Sequence, residues 1–161
     1  MINLMNIMLK ILFVCTGNIC RSPTAEGVLN TKCIAHGLQN KIIAESAGIM
    51  GYHNGAPPDS RSLEAAMQRG YDLSAQQARQ FLLTDYDAFD LIIGMTKSHV
   101  ATLKDNQPPT SSSEIKLLLD FSPAHQNQDV PDPYYEQSQG FEIVLDLIEQ
   151  ACDEIILTVK S

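Results

Sequence analysis

The sequence predicts an α/β fold: a four-stranded parallel sheet, doubly wound, with helices on both faces. Two observations carry this. Short apolar runs rich in β-branched residues recur four times along the chain, and helix-forming segments separate them. Strands alternating with helices are the pattern of a parallel sheet, whose ligands bind beyond the carboxyl ends of the strands.

Lys10-Ile-Leu-Phe-Val14 reads as a buried parallel strand. A polar loop, Cys15 to Arg21, follows. Ser22-Pro23 reads as a helix start, with Ser22 as N-cap, Pro23 at the first helical position and Glu26 in the first turn. That helix is expected to stop near His36-Gly37. Ile42 to Ser46 predicts the second strand, and residues 47–58 a loop rich in glycine and proline. Asp59-Ser60 caps a helix ending near Arg69-Gly70. Phe89 to Gly94 predicts the third strand, Ser98 to Lys104 a helix and Ile115 to Leu119 the fourth strand. Pro123 to Pro133 reads as a long loop. From Gly140 to Val159, Ile143, Val144, Leu147, Ile148, Ala151 and Ile155 recur at helical spacing, so the chain closes on a long helix.

The length of 161 residues suits one domain, 1–161. A net charge of -8 argues against a nucleic-acid partner, which wants a basic face. It leaves an anionic small ligand open, because local dipoles decide a small site. No stretch approaches the roughly 20 apolar residues of a membrane span, so no membrane partner is expected. Cys15, Cys20, Cys33 and Cys152 form neither a disulfide framework nor a zinc spacing. Free thiols, a cytoplasmic location, no metal and no cofactor are the expectations.

The chemistry concentrates in Cys15-Thr16-Gly17-Asn18-Ile19-Cys20-Arg21-Ser22. A strand feeds this loop and a helix N-terminus receives it, which is the arrangement that binds phosphate or another oxyanion. Gly17 permits positive φ and Asn18 tolerates it. Arg21 offers a planar fork matched to two phosphoryl oxygens. Inward N–H groups, the helix dipole and Arg21 together favour a Cys15 thiolate, and the Ser22 hydroxyl can donate to it. Such a sulfur attacks phosphorus without a histidine base. None of the four histidines stands in a pattern that singles it out.

Leu12-Phe-Val-Cys-Thr-Gly-Asn-Ile-Cys-Arg-Ser-Pro23 resembles the signature of the low-molecular-weight protein tyrosine phosphatases, and Asp132-Pro-Tyr-Tyr135 resembles the family's second motif. The resemblance implies Cys15 as nucleophile, Arg21 as transition-state ligand and Asp132 as general acid. It implies loop support from Asn18, Ser22 and Ser46. It places Ile19, Tyr52, Tyr134 and Tyr135 around a cleft for a phosphotyrosine-containing protein. It also makes Cys20 a redox partner for Cys15.

Two positions depart from the family pattern. Gln76 stands where relatives carry a histidine that bonds the loop-supporting asparagine; an amide could donate the same bond. Thr96-Lys97 replaces an acidic pair of eukaryotic relatives. Two alternatives share the fold. Protein arginine phosphatases carry Thr where Ile19 stands and lack paired tyrosines. Thiol-coupled arsenate reductases need a downstream cysteine pair, and none lies between Cys33 and Cys152.

Overall fold

The computed structural model describes residues 8–135 and 138–160. Strands β1 (Leu9–Cys15), β2 (Ile42–Gly48), β3 (Leu91–Gly94) and β4 (Glu114–Leu117) form one sheet, all pairs parallel, in the order β2-β1-β3-β4. The order reverses at β1, so the carboxyl end of β1 is the topological switch point where a ligand is expected. Cys15 is its last residue.

Central β1 is buried on both faces, which explains its unbroken apolar run. Ile11 and Phe13 face a core shared with helices α1 (Arg21–Ala35) and α5 (Ser138–Lys160). Leu12 and Val14 face the opposite core, which holds Leu103 of helix α4 (Lys97–Asp105) together with Tyr86 and Phe89. Helix α2 (Ser60–Gln68) packs against α5. The doubly wound sheet with helices on both faces is therefore present.

Several boundaries differ from expectation, each for a physical reason. Ser22 is not the N-cap of α1. The helix begins at Arg21, Cys20 precedes it, and the buried Ser22 hydroxyl turns to Cys15 and Asn18 instead. Glu26 lies beyond the first turn and reaches Ser46. Strand β2 runs on to Gly48, because Ala47 and Gly48 still pair with Val14 and Cys15. Strand β4 stops at Leu117 and a 3₁₀ turn, Leu118–Phe121, follows. Leu118 and Leu119 are both fully buried, which the alternating faces of a strand at the sheet edge would not allow. A short helix α3 (Asp85–Ala88) escapes a periodicity reading because it is one turn long. Within α5, Val144, Ile148, Ala151 and Ile155 are buried, but Ile143 is 52% exposed. No helix among the described residues is long and apolar enough to cross a membrane.

Candidate active site

The loop leaves β1 at Cys15 and enters α1 at Arg21. Asn18 at its apex has φ of 58°, the left-handed conformation that asparagine tolerates. β2 comes so close behind the loop that a side chain at Gly48 would not fit. A Cβ there would stand 2.9 Å from the Thr16 carbonyl oxygen and 3.0 Å from the Asn18 nitrogen. That approach lets Ile49 and Met50 donate backbone hydrogen bonds to the Cys15 and Thr16 carbonyls, both at 2.9 Å. The carbonyls are thereby turned away, toward the strand that follows.

Asn18 organises the side chains behind the sulfur. Its Nδ2 donates to Ser22 Oγ at 2.8 Å and to Ser46 Oγ at 2.9 Å. Its Oδ1 accepts the Arg79 backbone N–H at 3.0 Å, which fixes the orientation of the amide. Because each hydroxyl oxygen accepts from Asn18, each hydroxyl hydrogen is free to point elsewhere. Ser22 Oγ lies 3.0 Å from Cys15 Sγ and 3.4 Å from the Ala47 carbonyl, so its hydrogen has the sulfur within reach. Ser46 donates to Glu26 Oε1 at 2.8 Å. Ser22 and Ser46 are thus both brought onto the Asn18 amide. Gln76 does not. Its Nε2 donates to the Pro23 carbonyl at 2.9 Å and its buried Oε1 has no partner, so it never reaches Asn18. The bond expected of it is supplied by the Arg79 backbone, held in turn by a two-point ion pair of the Arg79 guanidinium with Asp85 at 2.9 and 3.0 Å.

Arg21 is 4% exposed and its guanidinium spans three groups. Nη1 donates to the Val130 carbonyl at 3.1 Å, and Nη2 approaches Thr16 Oγ1 at 3.4 Å and Asp132 Oδ2 at 3.5 Å. The segment that carries Asp132 is pinned to the sheet, since Val130 N–H donates to the Met95 carbonyl and Asp129 accepts from Lys97 N–H. Asp132 is 38% exposed at its side chain, and its Oδ1 accepts the Tyr134 N–H at 3.0 Å.

Cys15, Arg21 and Asp132 meet at one cavity of about 160 Å³. Thr16, Gly17, Ile19 and Cys20 complete its floor, and Tyr52, His53 and Tyr134 rise at its rim. Tyr134 is 40% exposed, with the Arg61 guanidinium 5.7 Å from its ring centroid, and Tyr52 is 77% exposed. The Tyr135 side chain lies outside the described part of the structure. Cys20 is buried, and burial pushes its thiol up to about 12. Cys33 and Cys152 are core residues, as expected of helix cysteines.

Four participants were not legible in the sequence. His53 packs on Gly17, where a Cβ would come within 2.9 Å of its ring, and its ring centroid is 6.4 Å from that of Tyr134. Glu26 ends the Asn18–Ser46 chain; burial raises its carboxyl from 4.5 to about 7. Arg79 fixes the Asn18 amide. His99, 6% exposed, bonds the Thr16 hydroxyl at 2.9 Å. An unspaced histidine or glutamate carries no signal until the fold brings it to the loop.

An α/β protein with a cysteine and an arginine closing one loop at the switch point is what fold and site define. The model of one family, low molecular weight phosphotyrosine protein phosphatase, matches residues 10–161, and the chain belongs to that family. The low molecular weight protein-tyrosine-phosphatase YfkJ of Bacillus subtilis is 39% identical over 154 residues, covering 96% of this chain and 97% of YfkJ. A protein tyrosine phosphatase from Entamoeba histolytica, crystallised with Hepes in its active site, superposes with a TM-score of 0.89 at 38% identity, over 94% of this chain and 97% of that one. A Drosophila arginine phosphatase superposes with a TM-score of 0.87 at 28% identity, over 95% of this chain and 99% of that one.

Proposed function

We propose that the protein hydrolyses phosphotyrosine on proteins through a phosphocysteine formed on Cys15. The observation that carries this reading is the convergence of Cys15, Arg21 and Asp132 on one cavity. The dianionic phosphoryl group docks among the loop N–H groups at the start of α1, with the Arg21 fork across two of its oxygens. Cys15 Sγ attacks phosphorus in line, and the Ser22 hydroxyl steadies the thiolate. Asp132 protonates the departing phenoxide; as carboxylate it then takes a proton from the water that opens the phosphocysteine. Thr16, Gly17, Asn18 and Ile19 shape the phosphate seat, and Asn18, Ser22 and Ser46 hold it. The domain is read as 1–161.

Tyrosine is favoured over other phosphoamino acids by the walls. Ile19, Tyr52 and Tyr134 offer apolar and aromatic contact to a phenyl ring beside Cys15. The resemblance of Asp132-Pro-Tyr-Tyr135 to the family's second motif supports counting Tyr135 with them. The nearest competing reading is phosphoarginine, because an arginine phosphatase shares the fold. A reducing, cytoplasmic compartment fits a nucleophile that works only as an unoxidised thiolate.

The test is a side-by-side assay on phosphotyrosine, phosphoserine and phosphoarginine peptides. Turnover of phosphotyrosine alone is expected. Preferential turnover of phosphoarginine would replace this reading with the alternative. Cys15→Ser is expected to abolish turnover of an aryl phosphate while phosphate still binds.

A further inference from the structure

We propose that His99 is a positioning residue that holds Arg21 in its phosphate-gripping pose through the Thr16 hydroxyl. The proposal rests on the reading of the loop as a phosphate site and deepens it.

The geometry is a short chain. His99 Nε2 lies 2.9 Å from Thr16 Oγ1, and Thr16 Oγ1 lies 3.4 Å from Arg21 Nη2. A guanidinium only donates, so Thr16 must present a lone pair to it. The imidazole partner decides how the hydroxyl is turned, and hence which lone pair faces the guanidinium. His99 comes from α4, and the Val130 carbonyl takes the other guanidinium nitrogen at 3.1 Å. The fork is therefore held at both nitrogens, by the backbone at Val130 and by His99 through Thr16.

His99 does not line the cavity and touches no reacting atom. Its buried Nδ1 has no hydrogen-bond partner, so a histidine is kept here at a cost that a purely structural apolar residue would avoid. The charged groups around it are Arg21 from α1, and Asp129 and Asp132 from the segment packed over α4. Burial, then the Arg21 charge, depress its titration from 6.5 to about 4, against the two aspartates. Above that value Thr16 faces a neutral ring. Below it, a second cation sits two bonds' reach from Arg21, and the ring can only donate to Thr16.

The experiment measures competitive inhibition of aryl phosphate turnover by inorganic phosphate, which stays a monoanion between pH 3.5 and about 6. His99→Leu is expected to weaken phosphate inhibition about tenfold at pH 6, the usual worth of a hydrogen bond to a charged group. His99→Asn, whose amide can still meet the Thr16 hydroxyl, should recover most of it. Wild type should lose phosphate affinity as pH falls through about 4, and His99→Asn should not share that limb. If His99→Leu does not fold, the pH profile of His99→Asn still decides. The same acid limb in His99→Asn assigns it to Asp129 or Asp132 and overturns the proposal. Unchanged affinity in His99→Leu overturns it as well, while wild-type inhibition leaves the loop reading standing. A wild type that phosphate does not inhibit at all overturns both.

Discussion

Ser46 donates its hydroxyl hydrogen to Glu26 at 2.8 Å, which ties a half-buried carboxyl to the asparagine that organises the candidate phosphate loop. Burial raises that carboxyl from 4.5 to about 7, with Glu45 adding to the rise and Arg79 opposing it. The folded protein therefore binds a proton here that the unfolded chain has already released. Stability from this group is complete below pH 4.5 and is lost as pH rises through about 7. Glu26→Gln should flatten that part of the stability curve, measured as urea midpoint against pH between 4 and 8. An unchanged slope would assign it to other groups.

Gly48→Ala should distort the loop directly. The three nearest atoms its Cβ would meet are backbone of residues 16–18, which cannot swing aside as a side chain would. A cost of about 1–3 kcal/mol in folding stability is expected, the range for overpacking, together with a fall in turnover. Thermal unfolding and steady-state kinetics on the same preparation check both.

Asp132→Ala should slow turnover by roughly 10²–10⁴-fold, the span for a positioned general acid. The loss should shrink for substrates whose leaving group needs no proton. A uniform loss across leaving groups would mean that the change acts through Arg21, 3.5 Å away, rather than through proton transfer.

Cys20 gives a redox prediction. Its thiol, pushed up to about 12, is scarcely ionised at neutral pH, so it should capture an oxidised Cys15 slowly and faster as pH rises. After mild peroxide, the fraction of activity that dithiol restores should grow with pH. In Cys20→Ser it should be small at every pH. Equal recovery in the two proteins would remove Cys20 from the protection of Cys15.

The sheet was readable because β1 is apolar on both faces, α1 carries a stop signal at His36-Gly37 and α2 a cap at Asp59. What the sequence hid depended on packing. Leu118 and Leu119 look like more strand until both must be buried at once. Ser22 looks like a cap until Asn18 needs a hydroxyl beside the sulfur. At the site, Cys15 and Arg21 announce themselves by spacing within one loop, and Asp132 by its motif. Glu26, Arg79 and His99 lie 5, 58 and 78 residues beyond Arg21 in sequence, and only the fold makes them neighbours of the loop. Gln76 shows the reverse: the position was legible, but its amide bonds Pro23 and the support expected of it comes from main chain.

The bond from Arg21 to the Val130 carbonyl has a bearing on turnover as a whole. Val130 stands two residues before Asp132, on the same pinned segment. On the proposed mechanism, one guanidinium both seats the phosphate and tethers the stretch of chain that bears the acid, so the two duties share a single anchor.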